Sequence, residues 1–222
     1  MGEVLSAMSV KLQLALDFLE LEEALGLLEK VHAFADIIEV GTPCVIRYGM
    51  EAVRRIYLSY AAKTMLADLK IMDAGEGEAS LGFEAGAGIV TVMGVAHDET
   101  IRGAVRAAAK FEGQIMADLM AIPSPARRAR ELEDLGCAIL CVHTATDAHR
   151  SGDQAFEGVR LLRSKLSTAL IAVAGGIDVN SAGAACEAGA DILVVGSGIV
   201  KAEDPREAAR ALHQICAGWV RR

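Results

Sequence analysis

The sequence predicts a single α/β domain, a (β/α)8 TIM barrel in which eight parallel strands alternate with helices. Short apolar runs alternate with longer amphipathic segments eight times along the chain. No linker or low-complexity stretch interrupts this order, and 222 residues suit one compact barrel. Near copies of one helix-to-strand junction occur at 84–90 and 187–193, which indicates repeated β/α units.

The predicted strands are mostly continuous apolar runs, the composition typical of parallel strands that are covered on both faces. They are 11–17, 36–41, 64–69, 88–94, 113–119, 137–143, 168–174 and 190–196. A doubly wound open sheet is the alternative architecture. It usually has fewer units and a glycine-rich first turn, whereas the first turn here is the apolar and acidic segment 16–20.

Amphipathic segments between these runs predict the helices. They are 20–33, 44–60, 75–85, 97–111, 124–135, 152–166, 179–188 and 204–217. Three glycines at helix ends can adopt the left-handed cap conformation before the next strand: Gly86, Gly136 and Gly189. Three polar residues are candidate N-caps or first-turn acids: Asp98, Ser124 and Asp204.

Composition indicates a large aliphatic core and disfavours several classes of partner. Hydrophobic residues make up 53% of the chain, but aromatic residues only 4%. Lys and Arg number 22 against 30 Asp and Glu, and the net charge of −8 disfavours binding to nucleic acid or to an anionic membrane surface. No apolar run is long enough to span a bilayer, and no secretion signal is recognisable.

The five cysteines are scattered, so we expect buried thiols in a reduced cytoplasmic protein rather than a zinc site or disulfides. Residues 1–10 are expected to form a loose tail. The barrel domain is then expected to span 11–222.

Ionisable side chains fall at the predicted carboxyl ends of the strands, where the chemistry of such barrels takes place. They are Asp17, Glu39, Asp68, Lys70, Asp73, Asp118 and His143. One such charge could be a helix cap or a loop charge. Several that converge on one rim are costly to desolvate without a ligand, so together they predict an active site.

The most informative run extends from Asp68 to Asp73. Asp68 and Lys70 are two residues apart, so on a strand their side chains share a face. Flanking carboxylates would keep the Lys70 ammonium protonated, able to stabilise an oxyanion or deliver a proton. A surface ion pair is the alternative, but the run directly follows an apolar strand.

Two glycine-rich turns follow the seventh and eighth predicted strands, where such barrels frequently bind a phosphate group. Backbone N–H groups in these turns can approach an anion, and a following helix N-terminus adds a favourable dipole. Neither turn contains Arg or Lys. The predicted phosphate-binding residues are Gly175, Gly176, Gly196, Ser197 and Gly198.

Five segments together resemble the 3-hexulose-6-phosphate synthase family, within the orotidine-monophosphate decarboxylase-like barrel group. These segments are 14–17, 39–43, 67–76, 142–144 and 172–177. The resemblance extends from about residue 11 to residue 213, nearly the whole chain. The Asp-x-Lys-x-x-Asp run marks the wider group, while its flanks and the segment 95–101 mark the synthases more narrowly.

The resemblance implies a reversible aldol reaction between ribulose 5-phosphate and formaldehyde, with Mg²⁺, in a homodimer with shared active sites. Glu39 and Asp68 would serve the metal. Lys70 would face an enediolate, and Asp73 would reach into the neighbouring subunit's site. His143 is the best candidate for proton transfer, because imidazole exchanges protons near neutral pH. Asp17 completes the predicted catalytic set.

Two other functions stay open. A 3-keto-L-gulonate 6-phosphate decarboxylase passes through a similar enediolate, but those enzymes usually carry an Arg after the strand-6 His and another after the strand-8 Gly. This chain has the segment 144–146 and Ser197 there, and Ser197 also departs from the glycine usual in synthases. A non-catalytic barrel that binds sugar phosphates would not need the Asp68, Lys70 and Asp73 set.

Overall fold

A computed structural model describes residues 9–17, 20–145, 147 and 152–219, and these form a closed barrel of eight parallel strands. Each strand pairs with the next along the chain, and the eighth pairs with the first. This closure confirms the predicted (β/α)8 fold and excludes the open sheet. The strands are β1 (Lys11–Leu16), β2 (Ile37–Val40), β3 (Thr64–Ile71), β4 (Ile89–Met93), β5 (Gln114–Asp118), β6 (Ile139–His143), β7 (Leu170–Ala174) and β8 (Ile192–Val195).

The helices pack outside the barrel. They are α1 (Leu21–Val31), α2 (Thr42–Tyr48), α3 (Met50–Ser59), α4 (Gly75–Glu84), α5 (Asp98–Lys110), α6 (Pro125–Asp134), α7 (Gly152–Arg163), α8 (Ala182–Ala188), α9 (Ser197–Val200) and α10 (Pro205–Gly218), with a 3-10 turn at His32–Phe34. Most of the predicted tail, residues 1–8, lies outside the described residues. Val10, at the predicted end of that tail, is buried in the core.

The predicted helix ends are largely confirmed. Gly86, Gly136 and Gly189 adopt φ angles of 105°, 100° and 101°, which glycine tolerates because it has no Cβ. The Asp204 side chain caps α10 by accepting hydrogen bonds from the first-turn N–H groups. Ser124 occupies the N-cap position of α6 without a side-chain bond, and Asp98 is a first-turn acid of α5.

The prediction of one helix at 44–60 is wrong. The chain forms two helices there, α2 and α3, which meet at Gly49. This residue has φ 60° and ψ −153°, a conformation that only glycine adopts readily, so it ends α2 and redirects the backbone. The short helix α9 was not predicted. In addition, α8 begins at Ala182 rather than at residue 179.

Strand alternation separates an apolar floor from a polar upper layer inside the barrel. Buried aliphatic side chains form the floor, namely Ile37, Leu66, Ile89, Met116, Ile139 and Ile192. Two residues further along four of these strands lie Glu39, Asp68, Thr91 and Asp118, which are also buried. Because parallel strands end at the same edge, these polar side chains meet at one mouth of the barrel.

The outer face of the strands packs against the helices through an aliphatic core, as the composition predicts. All five cysteines are buried and free, which confirms the expectation of buried thiols. Within the described part of the chain, no helix combines the length and apolarity that crossing a membrane requires.

Candidate active site

A cavity of about 620 Å³ opens at the carboxyl ends of the strands. Most of the predicted site residues line it, namely Asp17, Glu39, Asp68, Lys70, His143, Gly175, Gly176, Gly196 and Ser197. Asp73 and Gly198 are the predicted residues that do not. Each of the predicted residues that line the cavity lies near a strand end or in the loop that follows. The parallel barrel therefore brings together groups that are distant in sequence.

The Lys70 ammonium lies between two carboxylates. Its Nζ is 2.9 Å from Oδ2 of Asp68 and 3.3 Å from Oδ2 of Asp118. Burial disfavours the charge on Lys70, but the two carboxylates outweigh it and raise the pKa of this ammonium above its usual range. Lys70 is therefore a fixed cation and a hydrogen-bond donor in the cavity.

The backbone at Lys70 differs from the simple strand that the sequence predicts. The pairing of β3 with β4 shifts register between Ala67 and Ile71, and Lys70 adopts φ 47°. Its N–H donates to Oγ1 of Thr91 at 2.9 Å. Asp68 and Lys70 thus enter the same cavity through a β-bulge, a feature that often redirects side chains beside active sites.

Asp118 joins Lys70 to His143. Nδ1 of His143 lies 2.7 Å from Oδ2 of Asp118, while the other carboxylate oxygen accepts the N–H of Met120 at 2.9 Å. Burial raises the pKa of Asp118, but the His143 hydrogen bond and charge and the Lys70 charge outweigh it, and this pKa falls below its usual value. An ionised Asp118 therefore orients the imidazole and leaves Nε2 for proton exchange with a ligand.

Asp68 is held by two threonines as well as by Lys70. Oγ1 of Thr42 donates to one carboxylate oxygen at 2.6 Å, and Oγ1 of Thr91 donates to the other at 2.7 Å. Lys70 Nζ lies 2.9 Å from Oδ2 and 3.2 Å from Oδ1, so each carboxylate oxygen faces two donors. A ligand of Asp68 would therefore have to displace or share one of these donors, since a carboxylate offers about four acceptor positions.

Glu39 and Gln13 form a buried polar pair in the cavity. Nε2 of Gln13 donates to Oε2 of Glu39 at 2.6 Å. Burial, and then the charge of Asp68, raises the pKa of Glu39 to about 8. Oε1 of Gln13 is buried without a hydrogen-bond partner among the described residues.

These features fit a hard divalent cation. A positive ion beside Glu39 and Asp68 would relieve the repulsion between the two carboxylates, and the unpaired Gln13 oxygen adds a further acceptor. Within the described ranges, no three His, Cys, Asp or Glu side chains cluster closely enough to hold a metal. Magnesium suits such a sparse set of ligands, because it usually keeps several water or substrate oxygens.

Asp17 lies at the end of β1, where two glycines make room for it. A Cβ on Gly41 would collide with the Asp17 carboxylate, and one on Gly196 would come within 3.3 Å of it. Burial, and then the charge of Asp68, raises the pKa of Asp17. A raised pKa brings a carboxyl closer to the range in which it can exchange protons during catalysis.

The two glycine turns pack against neighbouring backbone. Gly175 and Gly176 have φ angles of 99° and 74°. Gly175 packs against the Thr144 carbonyl and Gly198 against the Ile177 carbonyl, so the turn after β8 contacts the turn after β7. A Cβ on Gly176, in contrast, would meet no protein atom within 4 Å. Gly176 therefore offers backbone to the open cavity.

The expected contribution of helix dipoles to this region is not supported. Helix α9 has only four residues, and α8 begins well after the β7 turn. The sequence reasoning also missed a cation, because Lys201 lines the cavity directly after α9. Backbone N–H groups and one lysine are thus available to an anion at this wall.

Asp73 does not enter the cavity of its own chain. It is exposed in the loop after β3, where its Oδ1 accepts the N–H of Ala74 at 2.7 Å. The loop is held from behind, because Gly75 packs on the Thr100 carbonyl and a Cβ on Gly103 would lie 2.9 Å from the backbone N of Glu76. Asp73 therefore projects from a firmly packed loop.

Three residues of the network were not singled out from sequence: Thr91, Gln13 and Thr42. Asp118 was placed at the rim but without a specific role. Thr91 and Gln13 occupy inward-facing strand positions two residues from Ile89 and Ala15, so strand alternation could have identified them. Thr42 starts α2 and carries no such periodic signal.

Comparisons with known proteins agree with this architecture. Residues 10–212 match the family described as orotidine 5'-phosphate decarboxylase / HUMPS family. The curated 3-hexulose-6-phosphate synthase of Staphylococcus haemolyticus is 38% identical over 209 residues, which cover 94% of this chain and 100% of that protein.

Solved structures of a synthase and of a decarboxylase also resemble this chain. The 3-hexulose-6-phosphate synthase of Salmonella typhimurium has a TM-score of 0.88 and 41% identity, covering 93% of this chain and 98% of its own. The 3-keto-L-gulonate-6-phosphate decarboxylase of Vibrio cholerae has a TM-score of 0.82 and 25% identity, covering 95% and 99%. The chain is thus more similar to these synthases than to this decarboxylase.

Proposed function

This chain belongs to the orotidine 5'-phosphate decarboxylase / HUMPS family, and we propose that it catalyses the reversible aldol condensation of formaldehyde with ribulose 5-phosphate. The product would be 3-hexulose 6-phosphate. The observation that carries the proposal is the Lys70 ammonium between Asp68 and Asp118, with His143 on the same Asp118 oxygen. Identity of 38% and 41% to proteins named as synthases supports it.

The condensation begins with loss of a proton from C1 of ribulose 5-phosphate, beside the C2 carbonyl. The C–H electron pair passes into an enediolate, which then forms the new C–C bond to the carbon of formaldehyde. The formaldehyde oxygen takes up a proton and becomes a hydroxyl group. The reaction therefore requires a group that moves protons and a group that stabilises oxyanion charge.

The residues of this cavity supply both. His143, oriented by Asp118, would exchange protons through Nε2, and Asp17 is a second proton-exchanging group. Lys70 would donate hydrogen bonds to the enediolate oxygens, and its position is fixed before substrate arrives. A preorganised cation needs little reorganisation as charge develops, which is the main electrostatic requirement of such a step.

Magnesium is the proposed cofactor, held by Glu39 and Asp68. When bound, it would supply electrostatic stabilisation of negative charge on the substrate oxygens. Gln13 would hold the Glu39 carboxylate in place, and Thr42 and Thr91 would do the same for Asp68.

The substrate phosphate would bind at the glycine turns after β7 and β8. Gly175 and Gly176 expose backbone at positive φ, and Gly196 and Ser197 line the same wall. Gly198 would act from behind, by allowing the close packing of the two turns. Backbone amides bind phosphate oxygens without adding bulk to the cavity.

We also propose a homodimer with shared active sites. Ile46, Met72 and Val95 are apolar but 80%, 51% and 46% exposed. They follow β2, β3 and β4, which are adjacent in the barrel, so they lie at the same end as the cavity. A second copy that covered these side chains would bring Asp73, next to Met72, towards the partner's cavity.

We place the protein in the cytoplasm. Its five buried free thiols fit that reducing compartment.

The test is turnover by the purified protein with Mg²⁺. We expect ribulose 5-phosphate to disappear only when formaldehyde is present, and 3-hexulose 6-phosphate to form. Release of CO₂ from 3-keto-L-gulonate 6-phosphate, without formaldehyde-dependent turnover, would identify a decarboxylase instead. Phosphate binding without turnover of either substrate would indicate a non-catalytic barrel.

A further inference from the structure

We propose that Lys201 is the cation that binds the substrate phosphate and selects phosphorylated over unphosphorylated sugars, an inference that rests on the proposed sugar-phosphate function. Three sets of observations carry it: the charges around the cavity, the position of Lys201 beside the glycine turns, and the partners of the other cavity cations.

The charge of the cavity opposes an anionic ligand. Four carboxyl groups line it, namely Asp17, Glu39, Asp68 and Asp118, and those of Asp68 and Asp118 already face the Lys70 ammonium. Among the described residues that line the cavity, the basic side chains are Lys70, His143 and Lys201. A phosphate dianion that enters this environment meets repulsion that backbone amides alone offset only in part, because carboxylate charges act over several ångströms in a partly desolvated site.

Two of these three basic side chains are already engaged. Lys70 pairs with Asp68 and Asp118, and His143 is hydrogen-bonded to Asp118. A cation held by Glu39 and Asp68 would compensate charge near β2 and β3, away from the turns after β7 and β8. No carboxylate in the described part of the chain forms an ion pair with Lys201. Its ammonium is therefore available to a ligand.

The backbone places Lys201 at the phosphate wall. It directly follows α9, and its N–H donates to the Ser197 carbonyl at 3.0 Å, which anchors it to the turn that begins at Gly196. Gly198 in that turn packs on the Ile177 carbonyl, next to Gly175 and Gly176. The Lys201 side chain is exposed, yet it borders the cavity with these glycines.

A lysine suits this position physically. Its ammonium is a compact charge on a flexible stem, so it can follow a phosphate whose other contacts come from rigid backbone amides. The Lys201 ammonium would lie far from C1, where the new bond forms, because the phosphate and C1 are at opposite ends of ribulose 5-phosphate. Lys201 should therefore affect binding of the phosphate and leave the chemical step nearly unchanged.

The experiment compares Lys201→Gln and Lys201→Arg with Lys165→Gln in the Mg²⁺-loaded protein. Lys165 is exposed and precedes β7, at the other end of the barrel, so its variant makes the same charge change away from the cavity. Calorimetry would give the dissociation constant of inorganic phosphate at low and high salt. Steady-state assays would give KM and kcat with ribulose 5-phosphate.

We expect Lys201→Gln to raise both the phosphate dissociation constant and KM about tenfold, the effect of one lost charge-assisted hydrogen bond, with kcat changed less than about twofold. The salt dependence of phosphate binding should weaken in the same variant. Lys201→Arg should stay within about threefold of wild type, because it keeps the charge.

The proposal would be overturned if Lys201→Gln bound phosphate as tightly as Lys165→Gln does, or if Lys201→Gln lowered only kcat. Wild-type protein that binds no phosphate would overturn it as well. Absence of aldol turnover in wild type would instead refute the proposed function. In that case the calorimetric comparison would still decide the role of Lys201, since it needs no reaction.

Discussion

Nδ1 of His143 lies 2.7 Å from Oδ2 of Asp118, and the same oxygen lies 3.3 Å from the Lys70 ammonium. One carboxylate thus connects the proposed proton-exchanging imidazole to the proposed oxyanion-stabilising cation. Since Asp118 is buried and stays ionised between these partners, loss of its charge should disturb both.

His143→Gln and Asp118→Asn should slow proton removal from C1. We expect kcat to fall at least about 100-fold for His143→Gln and about tenfold or more for Asp118→Asn, with KM little changed. Exchange of the C1 proton in D₂O without formaldehyde, followed by NMR, isolates this step. Asp134→Asn, an exposed change of equal charge on α6, is the control. Wild-type exchange rates in His143→Gln would assign proton removal to another group.

Activity should depend on a divalent cation held by Glu39 and Asp68. Excess EDTA is expected to lower kcat/KM at least about 100-fold, and Mg²⁺ to restore it. Glu39→Gln keeps the size of the side chain but removes a ligand charge, so it should raise the Mg²⁺ concentration for half-activation about tenfold or more. Glu187→Gln, exposed on α8, is the matched control. Full turnover in excess EDTA would contradict the metal assignment.

Gly176→Val should weaken binding of the sugar phosphate. The new side chain would project into open space at the cavity, where the structure leaves no protein atom within 4 Å of a Cβ. We expect KM for ribulose 5-phosphate to rise about tenfold or more.

Gly49→Val controls for backbone strain in that experiment. Gly49 also has a positive φ and open space at its Cβ, but it lies between α2 and α3 and does not line the cavity. Both variants should lose thermal stability, and only Gly176→Val should change KM. Equal KM values in the two folded variants would argue against phosphate binding at this turn.

Asp73 should act in the neighbouring subunit. Lys70→Ala and Asp73→Ala should each be nearly inactive alone, but when unfolded and refolded together they should recover roughly a quarter of wild-type activity. Half of the dimers are then mixed, and each mixed dimer has one intact site.

Lys70→Ala refolded with His143→Gln provides the control for complementation. Both residues contact Asp118 of their own chain, so each site of a mixed dimer keeps one lesion and no activity should return. If the Lys70→Ala and Asp73→Ala mixture also stays inactive while wild type refolds, each site is built from one chain.

Glu133 should stabilise the fold in a pH-dependent way. Its Oε1 accepts N–H groups of Thr168 and Ala169 at 2.7 and 2.8 Å, and these bonds overcome the effect of burial and lower the pKa of Glu133. A lowered folded-state pKa means that the stabilisation is present above the ordinary value of 4.5 and is lost as pH falls through the folded value.

Glu133→Gln should therefore lower the free energy of unfolding at pH 7 by on the order of 1 kcal/mol, since the site is partly open to solvent. Urea unfolding at several pH values would measure this. The difference from wild type should shrink as pH falls below 4.5 and through the lower folded-state pKa of Glu133, because the carboxylate then becomes protonated. A difference that stays constant from pH 7 to pH 3 would show that the carboxylate charge is not responsible.

Local sequence determined the order of elements and most of their ends. Short continuous apolar runs are typical of parallel strands buried on both faces, and eight of them alternating with helices predict the barrel. The left-handed caps at Gly86, Gly136 and Gly189 could be predicted, because a positive φ at a helix end favours glycine whatever surrounds it. The convergence of Glu39, Asp68 and Lys70 also followed, because parallel strands end at one rim.

Tertiary structure alone decided the bulge at Lys70 and the partners of Asp118. Asp118 lies 48 residues from Lys70 and 25 from His143, so no local pattern reports their contact. Likewise, Lys201 faces the cavity only because the short α9 directs the chain there, and Asp73 projects outward only because Gly75 packs on α5. Periodicity and glycine placement are properties of a few consecutive residues, whereas distances and charges between side chains are fixed only when the barrel closes.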